Sequence, residues 1–170
     1  MKVTMPTELD SIEASAARSA ERSLQQLASS SGPEALKALW RMKVEAIGCD
    51  PMNAERPLNL IEQLNQTFTY IASARAARIL FEKHPGAAPF TLNLGTAAGS
   101  DIESEKEGGV AAEVFAAVNT SNNKKLKKDI AKVSATTARF KYVFYMCPGV
   151  EKGLKEERGG VQVWSVGADL

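Results

Sequence analysis

The sequence holds one histidine and two cysteines in 170 residues. A single His84 excludes zinc sites built on several imidazoles, and any Ser-His-Asp triad would hang on that one residue. His84 precedes Pro85-Gly86, where a cationic side chain suits a helix C-terminus. Cys49 and Cys147 form no CxxC motif and cannot supply a disulfide framework, so both read as small, buried or half-buried thiols. No apolar run approaches the ~20 residues that cross a bilayer. The stretch from Met1 to Asp10 is polar and lacks an apolar signal core. A soluble, cytoplasmic protein without a membrane partner is expected. Internal repeats and low-complexity tracts are absent. Net charge is scarce too: 21 basic against 20 acidic residues leave +1, which excludes a protein that coats nucleic acid by bulk charge.

What is present suits a folded domain. Apolar residues make up 44% and charged residues 24%, ordinary values for a globular protein. A chain of this length buries roughly 70% of its unfolded surface. The charge is unevenly spread. Between Asn122 and Lys141, Lys124, Lys125, Lys127, Lys128, Lys132, Arg139 and Lys141 stand against Asp129 alone. Such a block either tracks phosphates or keeps a helix face solvated.

The first third lacks strand character. Met1 to Thr7 reads as frayed. Glu8 to Ser30 reads as a helix anchored by Leu9, Ile12, Leu24 and Leu27. Ser29 to Pro33 is a break, and a second helix runs from near Pro33 to a stop at Gly48 and Asp50-Pro51. This gives an N-terminal helical extension over 1–56, through which a homodimer could form. The second part, 57–170, opens with a long helix from Pro57 to Lys83. On it Leu60, Leu64, Phe68, Ile71 and Ile79 fall at helical spacing, and Glu62, Gln66, Thr69 and Ser73 share another face.

Beyond Pro89 the period changes. Phe90 to Leu94 alternates like a half-buried strand. Gly95 to Gly99 is a turn, and Ser100 to Ser104 a short strand. Val110 to Val118 is a continuous apolar run, read as a central strand buried on both faces. Asn119 to Asn123 caps a helix of about 15 residues with Leu126, Ile130 and Val133 as its stripe. Phe140 to Met146 is strongly β-prone, Glu151 to Gly160 reads as a charged loop, and Val161 to Val166 as a last strand. Aromatics in 140–145 beside Arg139 and Lys141 read as β core rather than as a base-stacking surface. The expected fold is α/β: a mixed central sheet of about five strands in αβββαββ order, flanked by helices.

The informative residue is a carboxylate inside the central run. A charge at Glu113, within Ala111-Ala112-Glu113-Val114-Phe115, is costly unless a cation or hydrogen bonds compensate it. Asp101 lies on the preceding strand candidate, and a hairpin would set the two side by side. Paired carboxylates repel unless a cation joins them, and hard oxygen ligands suit Mg²⁺ or Mn²⁺. Gly95 to Gly99 has only the composition of a phosphate loop, without the GKS/T ending.

Gly99-Ser100-Asp101-Ile102, then Ala112-Glu113-Val114, then Asn122-Asn123-Lys124-Lys125-Leu126-Lys127-Lys128-Asp129-Ile130 on a helix resembles the PD-(D/E)xK nuclease superfamily, with its restriction-endonuclease-like fold. The resemblance spans about 57–166. It implies phosphodiester hydrolysis of nucleic acid, with Asp101 and Glu113 holding Mg²⁺ or Mn²⁺ and Glu62 as a further acidic metal ligand. It also implies a lysine two residues after Glu113, where this chain has Phe115. Lys124 or Lys125 would then supply the lysine function, or Gln66 would help to orient water. Lys127, Lys128 and Lys132 would contact phosphates. The alternative is a catalytically inactive nuclease-fold module that binds nucleic acid or protein. It expects a lysine to satisfy Glu113 and a Glu113→Gln variant to keep its function.

Overall fold

The computed structural model describes residues 1–29, 34–95, 99–121 and 124–170. Parts of the expected break at Ser29 to Pro33, of the turn at Gly95 to Gly99 and of the cap at Asn119 to Asn123 lie outside the described residues. The elements are β1 (Lys2–Val3), α1 (Asp10–Ser29), α2 (Ala35–Val44), β2 (Gly48–Asp50), β3 (Asn53–Leu58), α3 (Leu60–Lys83), β4 (Phe90–Leu92), β5 (Ile102–Ser104), β6 (Val110–Ala116), α4 (Lys125–Ser134), β7 (Phe140–Met146), β8 (Gly153–Arg158) and β9 (Val161–Ser165). The fold is mixed α/β. The chain divides into Met1–Leu9 with Ala72–Leu170, and Asp10–Ile71. Sequence reading put the division at 56/57; here it falls inside α3, and the first nine residues join the larger unit.

The larger unit is built on a seven-stranded sheet in the order β1-β4-β5-β6-β7-β9-β8. β6, β7 and β9 are parallel neighbours, and the remaining pairings are antiparallel. Seven strands replace the five expected, because both edges recruit segments with no strand signature. Lys2 and Val3, expected to fray, pair with Thr91 and Phe90. The charged 151–160 segment, expected as a loop, forms β8 along β9. Charged side chains on an exposed edge deter pairing with another chain, and they also hide the strand from pattern reading.

β6 is buried along nearly its whole length, as its continuous apolar run requires. Its connection to the parallel β7 passes through α4, a βαβ crossover. Ile130 and Val133 of α4 pack with Ala111 and Phe115 of β6, Val143 and Tyr145 of β7, and Val161 and Val163 of β9, with Leu126 at the margin. α4 has 10 residues rather than about 15. It closes with Ser134 Oγ donating to Ile130 O and Thr136 Oγ1 to Val133 O, polar side chains that compete for the last carbonyls. On the other side of β7, Tyr142 OH meets His84 Nε2 at 2.8 Å, with His84 also against the Phe140 ring. Thus His84 is buried in the core.

The smaller unit is not purely helical. β2 and β3 form an antiparallel hairpin where a helix stop and linker were expected. Asp50 Oδ1 accepts Met52 N–H at 2.8 Å and shapes the turn. Pro57, which donates nothing to a ladder, is tolerated because the sheet has only two strands. The buried stripe of α1 runs through Ile12, Ala16, Ser19 and Ser23, whereas Leu24, an expected anchor, is exposed. Small side chains are buried there because the face is hydrogen-bonded: Ser19 Oγ donates to Cys49 O and accepts Gln63 Nε2. α2 has no buried residue and exposes Leu36, Leu39, Trp40 and Val44.

Candidate functional site

Asp101 sits one residue before β5 rather than on a strand. Its carbonyl accepts Asn93 N–H at 2.8 Å, so the β4–β5 pairing continues past Leu92 and Ile102. In the β5–β6 register Ile102 faces Ala112, and one step further sets Asp101 across from Glu113. Asp101 Oδ2 accepts Val114 N–H at 2.6 Å. The turn before Asp101 is fixed locally. Ser100 N–H donates to Glu103 Oε1 at 2.6 Å, and Asn93 Nδ2 donates to Ser100 O at 2.7 Å. Gly99 has φ +105°, and a Cβ there would stand 2.7 Å from Glu103 Oε1, so only glycine fits without strain.

Glu113 lies on the α4 side of β6, between Ala111 and Phe115 in the period-two alternation of a strand. It is 1% exposed. Lys132 of α4 answers it: Nζ donates to Glu113 Oε2 at 2.8 Å and to Gly99 O at 2.9 Å. A second pair stands beside the first. Lys125 Nζ donates to the buried Asp129 Oδ1 at 2.6 Å and lies 5.9 Å from the Phe115 ring centre. One oxygen of each acid is left over. Glu113 Oε1 and Asp129 Oδ2 are buried and have no hydrogen-bond partner among the described residues. Buried carboxylate oxygens without partners are costly.

Electrostatics joins these groups into one cluster. Burial pushes the Asp101, Glu113 and Asp129 carboxyls up from their ordinary values. The Lys132 hydrogen bond pulls Glu113 partly back, while the charges of Asp101 and Asp129 push it further up. Burial works to lower the Lys132 ammonium, but its bond to Glu113 and the three negative charges outweigh that and raise it.

The pKa directions set a pH dependence. A carboxyl raised in the folded state contributes stability that is present below its unfolded pKa and is lost as pH rises through the folded one. The window therefore opens near the ordinary value of 4.5 for Glu113 and extends upward. Glu113→Gln removes this titration. The melting temperature of the variant minus that of wild type is expected to be near zero around pH 4 and positive at pH 8. A difference that stays flat over that range would exclude a buried, titrating Glu113.

The structure thus brings Asp101 and Glu113 together and places Lys125 and Lys132 at them. Lys124 caps α4 in the left-handed region at φ 56°, with its side chain exposed, and Lys127 and Lys128 are exposed on the outer face. Glu62 lies in the other unit, at the start of α3. Its carboxylate accepts Asn59 N–H at 3.4 Å, and its own N–H donates to Asn59 Oδ1 at 3.0 Å, a reciprocal cap. Gln66 accepts the Tyr70 hydroxyl at 3.2 Å. Phe115 stacks on Tyr145 in the core. The inactive-module reading expects a lysine on Glu113, and the structure identifies it as Lys132; the part played by Asp129 was not foreseen. The available signal was the spacing of Lys125, Asp129 and Lys132 at i, i+4 and i+7, one residue ahead of the Leu126, Ile130 and Val133 stripe. Among the described residues, no three or more acidic, histidine or cysteine side chains stand together as a metal-ligand group. No protein-family model, curated protein or solved structure matches the chain.

Proposed function

We propose that the larger unit is a metal-dependent phosphodiesterase of the PD-(D/E)xK, restriction-endonuclease-like kind, acting on nucleic acid. The observation that carries this reading is Glu113: a buried carboxylate in a central strand, beside Asp101, with one oxygen on a lysine and the other unpartnered. The donor set fits a hard divalent cation, because Asp101 and Glu113 both offer carboxylate oxygens, among them the orphaned Glu113 Oε1. Asp101 and Glu113 would hold Mg²⁺ or Mn²⁺. When bound, the ion supplies Lewis-acid activation of water and charge neutralisation.

The charge count favours an anionic substrate. Asp101, Glu113 and Asp129 against Lys125 and Lys132 leave one net negative charge. A divalent cation turns that to +1, which a phosphodiester monoanion neutralises. Lys132 fills the role of the lysine absent from position 115, since it approaches the same carboxylate from the neighbouring helix. This replaces Lys124 and Lys125 in that role: Lys124 is exposed at the helix start and Lys125 is committed to Asp129. Lys127 and Lys128 on the outer face of α4 would follow the phosphate backbone.

The test is cleavage of end-labelled single- and double-stranded DNA and RNA with Mg²⁺ or Mn²⁺, comparing wild type with Asp101→Asn. Cleavage that needs the ion and fails in the variant supports the reading. No cleavage of any of the four substrates by wild type, together with no Mn²⁺ binding, overturns it. A binding module without catalysis is the second reading, favoured by the salt bridge that already satisfies one oxygen of Glu113. It expects salt-sensitive nucleic-acid retention that Glu113→Gln leaves unchanged.

A further inference from the structure

We propose that Lys132 is the resident cation of this site and that a divalent metal ion displaces it from Glu113. The proposal rests on the reading of Asp101 and Glu113 as a metal-holding pair. Lys132 Nζ is bound by a carboxylate oxygen, Glu113 Oε2, at 2.8 Å and by a backbone carbonyl, Gly99 O, at 2.9 Å. Carboxylate and carbonyl oxygens are also what hard divalent cations take. An ammonium group and a metal ion on the same carboxylate oxygen would repel each other at short range.

One of the two partners must give way, and their surroundings decide which. The Glu113 side chain is 2% exposed and fixed in the middle of β6, whereas that of Lys132 is 52% exposed. Lysine carries its charge on a flexible four-carbon stem, so Lys132 can swing into solvent while Glu113 stays. Lys125 differs, because its ammonium holds a separate buried acid, Asp129. The orphaned Glu113 Oε1 is consistent with exchange, since it leaves that carboxylate free to engage an incoming ion before the lysine departs.

Two consequences follow. Lys132 holds metal affinity down, because each binding event must break its two contacts. The displaced ammonium remains tethered to α4 and free to meet a phosphate oxygen, so metal and anionic substrate bind with positive coupling.

The experiment is amine-reactive footprinting of the wild-type protein with and without Mn²⁺, read by mass spectrometry, with Lys127 and Lys128 as internal controls. Calorimetric Mn²⁺ titration of wild type and Lys132→Gln accompanies it. Lys132 labelling is expected to rise severalfold with Mn²⁺ while the controls stay level. The variant is expected to bind Mn²⁺ about tenfold more tightly, the scale of one charge-assisted contact. If wild type binds Mn²⁺ but Lys132 labelling does not change, displacement is wrong and the metal site stands. If neither protein binds Mn²⁺, the metal reading fails and displacement fails with it. Should the variant not fold, wild-type footprinting decides alone.

Discussion

Glu113→Gln is expected to abolish ion-dependent phosphodiester cleavage, by on the order of a thousandfold or more, while leaving the protein as stable as wild type or more stable at pH 8. The two halves of this result have one cause. Glu113 is buried, its carboxyl is raised by burial and by the neighbouring Asp101 and Asp129, and one of its oxygens has no partner. The glutamine is nearly the same shape without the charge. It relieves the desolvation cost but leaves a metal ion only one of its two carboxylates, Asp101. Lys132, half in solvent, loses little when its partner is neutralised. Cleavage assays and thermal melts at pH 5 and pH 8 read both halves. A gain in stability with loss of activity marks a residue kept for function. A Glu113→Gln protein that is much less stable at pH 8 would make the Glu113–Lys132 pair a structural device.

Lys132→Met is expected to cost about 3 kcal/mol at pH 8, the scale for stranding a buried charge by removing its partner. Near pH 4 the cost should largely vanish, because the stranded Glu113 is then protonated. The Glu113→Gln, Lys132→Met double variant should recover most of the loss at pH 8. Four urea denaturation curves at each pH close the double-mutant cycle. The coupling should be large at pH 8 and small at pH 4. Simple additivity at both values would mean that the 2.8 Å contact in the structure carries no energy.

Much of the larger unit was legible because its signals are local. Phe140–Met146 is a strand in the structure with the bounds expected from its β-branched and aromatic run. Val110–Ala116 is buried on both faces, as a run without alternation requires. Four strands were illegible for a common reason. Lys2–Val3, Gly48–Asp50, Asn53–Leu58 and Gly153–Arg158 carry little apolar pattern. Their pairing is decided by backbone hydrogen bonds to a neighbour that sequence reading cannot see. The hairpin formed by Gly48–Asp50 and Asn53–Leu58 also replaces the purely helical extension, since a helix-stopping Gly48 and Asp50-Pro51 equally begin a turn.

The sequence by itself determined that Glu113 would be buried, because an acid within a seven-residue strand that is otherwise apolar has no route to water. Hairpin geometry also determined that Asp101 would lie near it. Which cation meets Glu113 was decided only by the tertiary structure. Seven basic residues crowd 122–141; Lys125, Lys127, Lys128 and Lys132 lie on α4, where each residue is turned about 100° from the one before it. The apolar stripe fixes which side of α4 faces the sheet. It does not fix which flank lies over β6 and which points away. That depends on the order β5-β6-β7 and on the hand of the crossover. Packed that way, Lys132 reaches the buried acid, Lys125 reaches Asp129, and Lys127 and Lys128 are left in solvent.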